Sequence, residues 1–483
     1  DALVLALGLT LDATAPAQDI RAGSSAIVAT RFAESASAPL HDVKEGIENS
    51  SGNGLVDGAS SDGEGPRPLP GQPLDRTLSL GSPETDHITR PYFFRDNIEQ
   101  PVYKLSDPQL RGAAQTPPAL TVFASATYDG ALLNLARIVH DGAQPVSFVP
   151  ALSVALSSQA QIIGPAQRNV AVTAVTRETG SSERNDLTLK APSDWHVRPP
   201  LASTSGEPVG FTVTPPATNR TIATLTASGR LNGQSYTEGF RPVGYGNLPR
   251  TNFYTPATLR VVPVDLKLPP ENKRRIAYLP GTGDDVPAAL ASIGLTPKIL
   301  KVSDLTTDKL KAFDTIILGV RTYNAHPDLH GAPTQALLDF AHNGGNVVVQ
   351  YQTPEFTAAD APFPLTDHNE RVIDETAPVK LLDPASPLLS TPNKIAPADF
   401  NNWIEERGHG FLDTWDPHYT ALTETHDPGE PTEHILPQAP QRGGLITVQL
   451  GKGHWTYCAF ALYRQLPEAV PGAFRLFVNL LNP

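Results

Sequence analysis

The sequence predicts a multidomain chain, all-β through its first half and alternating strand and helix from about residue 272 to the end. Three observations lead there. A length of 483 residues suggests about three domains. Apolar runs bounded by Pro and Gly recur at short spacing before residue 268, and 48 Pro with 37 Gly favour turn-rich sheets over helical bundles. Beyond Arg274 the apolar period changes to short strands separated by helical segments.

Residues 1–115 are expected to form an irregular β-rich domain. SSAIVATRFA (24–33) and LDRTLSLGS (74–82) suggest strands, and ENSSGNGLVDGASSDGEGPRPLPGQP (48–73) suggests a long Gly/Ser/Pro loop. The opening DALVLALGLTLDATAPA mimics the apolar core of a signal segment, but it begins with Asp and lacks a basic region, so it is expected to belong to a structured domain. With no Met anywhere, the chain looks like a processed product or a piece of something longer.

Residues 116–268 are expected to form an immunoglobulin-like β-sandwich. ALTVFASATY (119–128), RNVAVTAVTRE (168–178), TIATLTASG (221–229) and LRVVPVDLKL (259–268) are half-buried strand patterns with no helical period between them. Residues 272–483 are expected to form an α/β layer domain, flavodoxin-like or class I amidotransferase-like. Strands RRIAYLP, KILKV, TIILGV and NVVVQYQ alternate with helices DVPAALASIG (closed by Gly294), SDLTTDKLKAF (capped by Ser303 or Asp304) and PTQALLDFAHNGG. HWTYCAFAL is the closing strand, and PGAFRLFVNLL is a last helix with Phe474, Phe477 and Leu481 at helical spacing.

A net charge of -13 argues against a nucleic-acid partner. No apolar run approaches the ~18 residues of a membrane span. Cys458 is the single cysteine and lies in an apolar strand, where a thiol is usually inert. An amidotransferase would need a nucleophile at the strand-to-helix elbow. The stretch expected to hold that elbow, VVVQYQTPEF, has neither Cys nor Ser.

In a parallel sheet, ligands gather beyond the carboxyl ends of the strands. That rule selects Asp284 after the first strand, Arg321 and Tyr323 after the third, Gln350 and Gln352 after the fourth, and Tyr463, Arg464 and Gln465 after the last. Arg321 and Arg464 form either a fork for a carboxylate or phosphate, or ties between loops. Asp284 is a ligand contact or a helix cap, and Glu405 and Arg407 either face a ligand or close the crevice with internal salt bridges. Trp403 and Trp415 either stack on a sugar or belong to the core. The stretch with Asp413, Asp416, His418, His426, Asp427, Glu430, Glu433 and His434 matches no standard metal spacing and is expected to be a solvated loop.

The runs GTGDDVPAALASIGL, FDTIILGVRTYN, LLDFAHNGGNVVVQYQT, ETAPVKLLDPASPLL, DFNNWIEERGHGFLDTWDPHY and ALYRQLPEAVPGAFRLFVNLL resemble the C-terminal part of large bacterial PIG-L (LmbE-like) deacetylases, as do PSDWHVRPP and GFTVTPP. The resemblance covers about residues 118–483, and YGNLP (245–249) departs from it. It implies an exported protein, secreted, periplasmic or at the bacterial cell surface, whose catalytic zinc domain acts on N-acetyl sugars and precedes this region. In that family the zinc signature is AHPDDE. Here RTYNAHPDLH keeps His326 and Asp328 but has Leu329 and His330 where the second Asp and the Glu belong, and His342 lies too near in sequence to complete a site. The expectation is therefore a non-catalytic accessory portion with no cofactor of its own, zinc being confined to the deacetylase domain. It would contact a glycan or amino sugar, that deacetylase domain, or another copy of itself. A structural or self-assembling extracellular protein, and an independent hydrolase using the Arg321, Gln352 and Arg464 crevice, are the alternatives.

Overall fold

The computed structural model describes residues 2–482 apart from 51–53, 58–66, 82–87, 97–99, 101, 166, 181–185, 199–205, 219, 274, 431 and 433. The chain is a multidomain, β-rich protein with three hydrophobic cores in sequence order. In the first, Thr10–Thr14, Ser25–Ala33 and Leu74–Gly81 make one antiparallel sheet. Ala131–Ile138, Leu120–Tyr128, His41–Asn49 and Gly54–Asp57 make a second. Strict alternation of buried and exposed residues along Ser25–Ala33 turns Val28 and Phe32 inward to meet Ile47, Val122 and Ala126.

Two expectations change here. The stretch expected to be a long loop contains the strand Gly54–Asp57, paired with Glu45–Glu48, while 51–53 and 58–66 lie outside the described residues. The boundary expected near residue 116 does not match the hydrogen bonding. Leu120–Tyr128 pairs with His41–Asn49, and the first core continues to Phe148. Strand spacing could not reveal this, because it does not say which sheet a strand joins.

The second core lies between two facing sheets. Leu152–Leu156, Val170–Glu178, Val209–Thr214 and His196–Arg198 form one, contributing Val154, Val172 and Phe211. Ala160–Ile163, Thr258–Pro263, Ala223–Leu231 and Asp186–Lys190 form the other, contributing Leu189, Leu225 and Val261.

The third core surrounds a seven-stranded mixed sheet. Its order is Lys298–Ile299, Ile276–Leu279, Thr315–Leu318, Asn346–Gln350, Gly453–Cys458, Leu445–Leu450 and Thr420–Ala421. The first five are mutually parallel, Leu445–Leu450 pairs antiparallel with Gly453–Cys458, and Thr420–Ala421 pairs antiparallel with Leu445–Leu450. Every residue of Ile276–Leu279, Thr315–Leu318 and Asn346–Gln350 is buried, which explains the apolar runs IAYL, IIL and VVV within them. Helix Val286–Ser292 ends before Gly294, whose φ of 82° carries the chain out of the helix. Helix Pro471–Leu480 buries Phe474 and Phe477, with Leu481 just past its end. The helix expected over 303–313 is reduced to a 3-10 turn, Val302–Asp304, and one α-turn, Thr307–Leu310. Asp304 accepts from the Lys301 amide at 3.0 Å, so the capping bond falls one turn earlier than a continuous helix would place it.

Between the fourth and fifth parallel strands the chain makes a long excursion containing the irregular pair Leu365–Val372 and Gly408–Trp415. It returns over the carboxyl ends of the parallel strands, because Gly408 bridges to Phe460 just beyond the fifth.

Candidate functional site

The carboxyl edge of the parallel strands gathers most of the residues that sequence order assigned to it, but nearly all are engaged inside the protein. Asp284 accepts from the Tyr278 hydroxyl at 2.5 and 2.6 Å, from the Val286 amide at 3.1 Å and from the Val320 amide at 3.4 Å. It holds the first amide of the helix that begins at Val286 and ties the first strand to the third. Burial, then the Asp284 charge, raises the Tyr278 phenol far above its ordinary range. Gly281 permits this crossing, since a Cβ there would meet the Val320 carbonyl oxygen at 1.9 Å.

Tyr323 is not a crevice residue. It is buried, its hydroxyl bonds Thr334 at 3.0 Å, and its ring packs on His330 and Phe356. The turn after the third strand is helical, and that rotates the side chain into the core. Gln352 is also fully buried. Its Nε2 donates to the Gly319 and Gln350 carbonyls at 3.0 and 2.9 Å, and its Oε1 accepts from the Tyr323 amide at 3.2 Å. Gln465 holds Ile404 in the same way, with amide and carbonyl bonds both of 2.8 Å.

Arg464 pairs with Glu405, and with Glu406 at 2.9 Å, so it does not join Arg321 in a fork. Arg407 forms no internal salt bridge among the described residues. It is buried, donates to the Ala377 and Phe400 carbonyls, and lies over the rings of Trp403 and Phe400. Burial lowers its pKa to about 10 against the opposing charges of Asp374 and Glu375, so it keeps its proton at neutral pH. The expected closure by Glu405 and Arg407 thus becomes a closure by Glu405, Glu406 and Arg464. Carbonyl oxygens, not carboxylates, meet Arg407.

Arg321 is the residue left over. It adopts φ 56° and ψ 40° at a strand-to-helix turn, a conformation that costs a non-glycine residue about 1–3 kcal/mol. Its amide donates to the Tyr351 carbonyl at 2.8 Å. Among the described residues its Nε is buried without a hydrogen-bond partner, Nη2 reaches Asn324 at 3.5 Å, and its charge acts on the Glu355 carboxylate, which accepts from Asn324. The strained turn therefore lies after the third strand, not in VVVQYQTPEF after the fourth, and it presents a guanidinium.

Three neighbours escaped the sequence reading. His409, half-buried, stacks on Tyr351 with ring centroids 4.5 Å apart, and Tyr351 stacks on Tyr463 at 6.5 Å. Arg371 donates its Nε to His409 Nε2 at 2.7 Å, so the ring proton sits on Nδ1. Burial, then the charge of Arg371, lowers the His409 pKa. Arg321 and Arg464 act the same way, and Glu406 opposes them. Gly410 follows with φ 77°, where a Cβ would strike Tyr351 at 2.6 Å. His409 and Arg371 had no motif around them, and their long separation in sequence from Arg321 hid the cluster.

The remaining candidates are structural. Cys458 is fully buried, and burial pushes its thiol up to about 12. His326 meets the Pro280 carbonyl at 2.8 Å and His330 the Asp360 carboxylate at 2.8 Å, while Asp328 is exposed. Trp403 is core, donating to the Asp399 carbonyl at 2.9 Å, and Trp415 packs half-buried against the same core. In the acidic stretch, Asp427 accepts from the Ile373 and Asp374 amides, and His418 stacks on Phe363 at 4.2 Å. Glu433 lies outside the described residues. Among the described residues no three His, Cys, Asp or Glu side chains converge as metal ligands. No helix among them is long and apolar enough to cross a membrane.

No family model and no curated protein matches the chain. Solved structures give weak likenesses. A β-galactosidase from Rahnella sp. R3 is 12% identical over 44% of this chain and 31% of its own, with a TM-score of 0.25. The periplasmic chaperone SfaE is 13% identical over 26% of this chain and 65% of its own, at 0.15. Titin A168–A169 is 10% identical over 53% of this chain and 98% of its own, at 0.17. Likenesses at these scores carry no argument about fold or function, and this chain spans less than a third of the β-galactosidase's length.

Proposed function

We propose that this chain is the non-catalytic, binding and positioning portion of a secreted or cell-surface PIG-L-type N-acetylsugar deacetylase. The zinc chemistry would reside in a separate domain of that protein. In this reading residues 272–483 form a flavodoxin-like or amidotransferase-like module, which the strand order second, first, third, fourth, fifth supports. The strands between Leu152 and Pro263 act as an immunoglobulin-like spacer. The observation that carries the proposal is Arg321. At the turn where a hydrolase of this layout would hold a nucleophile stands an arginine with an unpartnered buried Nε, beside Tyr351 and His409. A guanidinium there recognises ligand oxygens and attacks nothing.

Independent hydrolysis in the crevice would need Gln352 and Arg464 free, and both are engaged. A self-assembling role has one specific support, the eight-residue edge strand Ala131–Ile138 with Leu132 67% exposed. Titration of the full chain with glucosamine, N-acetylglucosamine and short chitooligosaccharides, wild type and Arg321→Ala, tests the proposal. Binding lost in Arg321→Ala at unchanged melting temperature supports it. Absence of binding at about 10 mM, a Kd too weak to be specific, refutes the binding role. Zinc-dependent deacetylation lost in His326→Ala refutes the non-catalytic one.

A further inference from the structure

The opposite, amino-terminal edge of the same parallel strands holds a cavity of about 300 Å³. Its wall comes from residues that directly precede strands: Arg275 before Ile276, Asp314 before Thr315 and Gly345 before Asn346. Lys273 and Lys311 complete a cationic lining in which Asp314 is the one carboxylate, so three cations minus one carboxylate leave +2. The chain as a whole carries -13, so this local excess runs against the global charge.

The two lysine side chains are exposed. Lys273 forms no salt bridge among the described residues, and its charge acts on the Asp314 carboxylate. The Lys311–Asp308 pair, 2.8 Å long, leaves its side chains 70% and 92% exposed, a geometry worth little in water. Arg275 is held by Asp314 through bonds of 3.1 and 2.6 Å, which fixes the guanidinium in place. Nor are the cations needed to satisfy the helix Ala332–His342 that ends here. Its Asp339, Phe340, Ala341 and His342 carbonyls already accept from the Asn343, Gly345, Gly344 and Lys452 amides. Phe313 and Phe340 add two phenyl rings to the lining.

We infer that this cavity binds a small phosphate monoester. A dianion matches the +2 lining, the phenyl rings suit the apolar face of a compact organic group, and about 300 Å³ is the lower limit for organic ligands. A phosphorylated monosaccharide has that size and charge. The inference is independent of the Arg321 site, which shares no residue with it.

Calorimetric titration of the full chain at low salt with glucose 6-phosphate, inorganic phosphate and glucuronate tests it, with Lys311→Glu and Lys273→Ala as variants. The inference expects saturable binding of glucose 6-phosphate, tighter than either smaller or singly charged probe, weakened about tenfold or more by Lys311→Glu. Both lysines are exposed, so melting temperatures should not move, and Lys273→Ala gives a second reading should Lys311→Glu misfold. Binding of inorganic phosphate as tight as that of the ester overturns the organic part of the inference. No saturable binding at about 10 mM, or binding unchanged in both variants, overturns all of it.

Discussion

Gln352→Ala separates a ligand residue from a structural one. If Gln352 faced a ligand, removing its amide would leave stability within about 0.5 kcal/mol, as at most surface positions. The structure expects otherwise. The side chain is fully buried and makes three bonds: to Gly319 O at 3.0 Å, to Gln350 O at 2.9 Å and from Tyr323 N at 3.2 Å. At about 1 kcal/mol net for each bond, and about 1 kcal/mol more for the space vacated, the loss comes to about 4 kcal/mol. The Gly319 carbonyl keeps a second donor, the Thr322 hydroxyl at 2.5 Å, so the Tyr323 amide is the group left most exposed to loss. Urea unfolding followed by tryptophan fluorescence measures this, since Trp403, Trp415 and Trp455 belong to the third core and Trp195 to the second. A Trp195→Phe background isolates the third core, because a chain with several cores need not unfold in one step. A midpoint shift equivalent to less than 1 kcal/mol would refute the reasoning and return Gln352 to the list of ligand contacts.

Further outcomes follow from the same edge. Arg321→Gly should be more stable than Arg321→Ala by about 1 kcal/mol, because only glycine adopts φ 56° without strain; equal urea midpoints would show the turn to be relaxed. Cys458 should resist iodoacetamide in the native chain at pH 8 and react fully in urea, its thiol being buried and pushed up to about 12, so rapid native labelling would refute its burial. His409 and His454 are both lowered from the ordinary 6.5, chiefly by burial, so the unfolded chain binds protons first as pH falls. Stability should therefore be present above pH 6.5 and decline as pH drops from 6.5 through the folded values, with a shallower slope in His409→Gln; an unchanged slope would refute the contribution of His409.

Periodicity alone determined the β-rich first half, the alternation beyond residue 272 and the apolar runs of the strands, because burial on two faces favours continuous apolar residues such as Ile316, Ile317 and Leu318. Strand order also placed Arg321 and Asp284 at the carboxyl edge of the parallel strands, where the structure has them. Local sequence could not say which sheet Leu120–Tyr128 joins, since its alternating pattern is the same beside His41–Asn49 as it would be in the following sandwich. Nor could it say which polar side chains at the edge point outward. Tyr323 and Gln352 turn into the core because the backbone after the third and fourth strands rotates them there, and their bonds are made to groups brought together only by the sheet. His409 meets Arg371 and feels the charge of Arg321 through an excursion whose path depends on strand pairing rather than on neighbouring residues. The surroundings of the side chains at the two ends of the sheet also arise only in three dimensions. Lys273, Arg275 and Lys311 are ordinary surface cations in the sequence, and they become one cationic cavity because parallel strands align their starting points at a single edge.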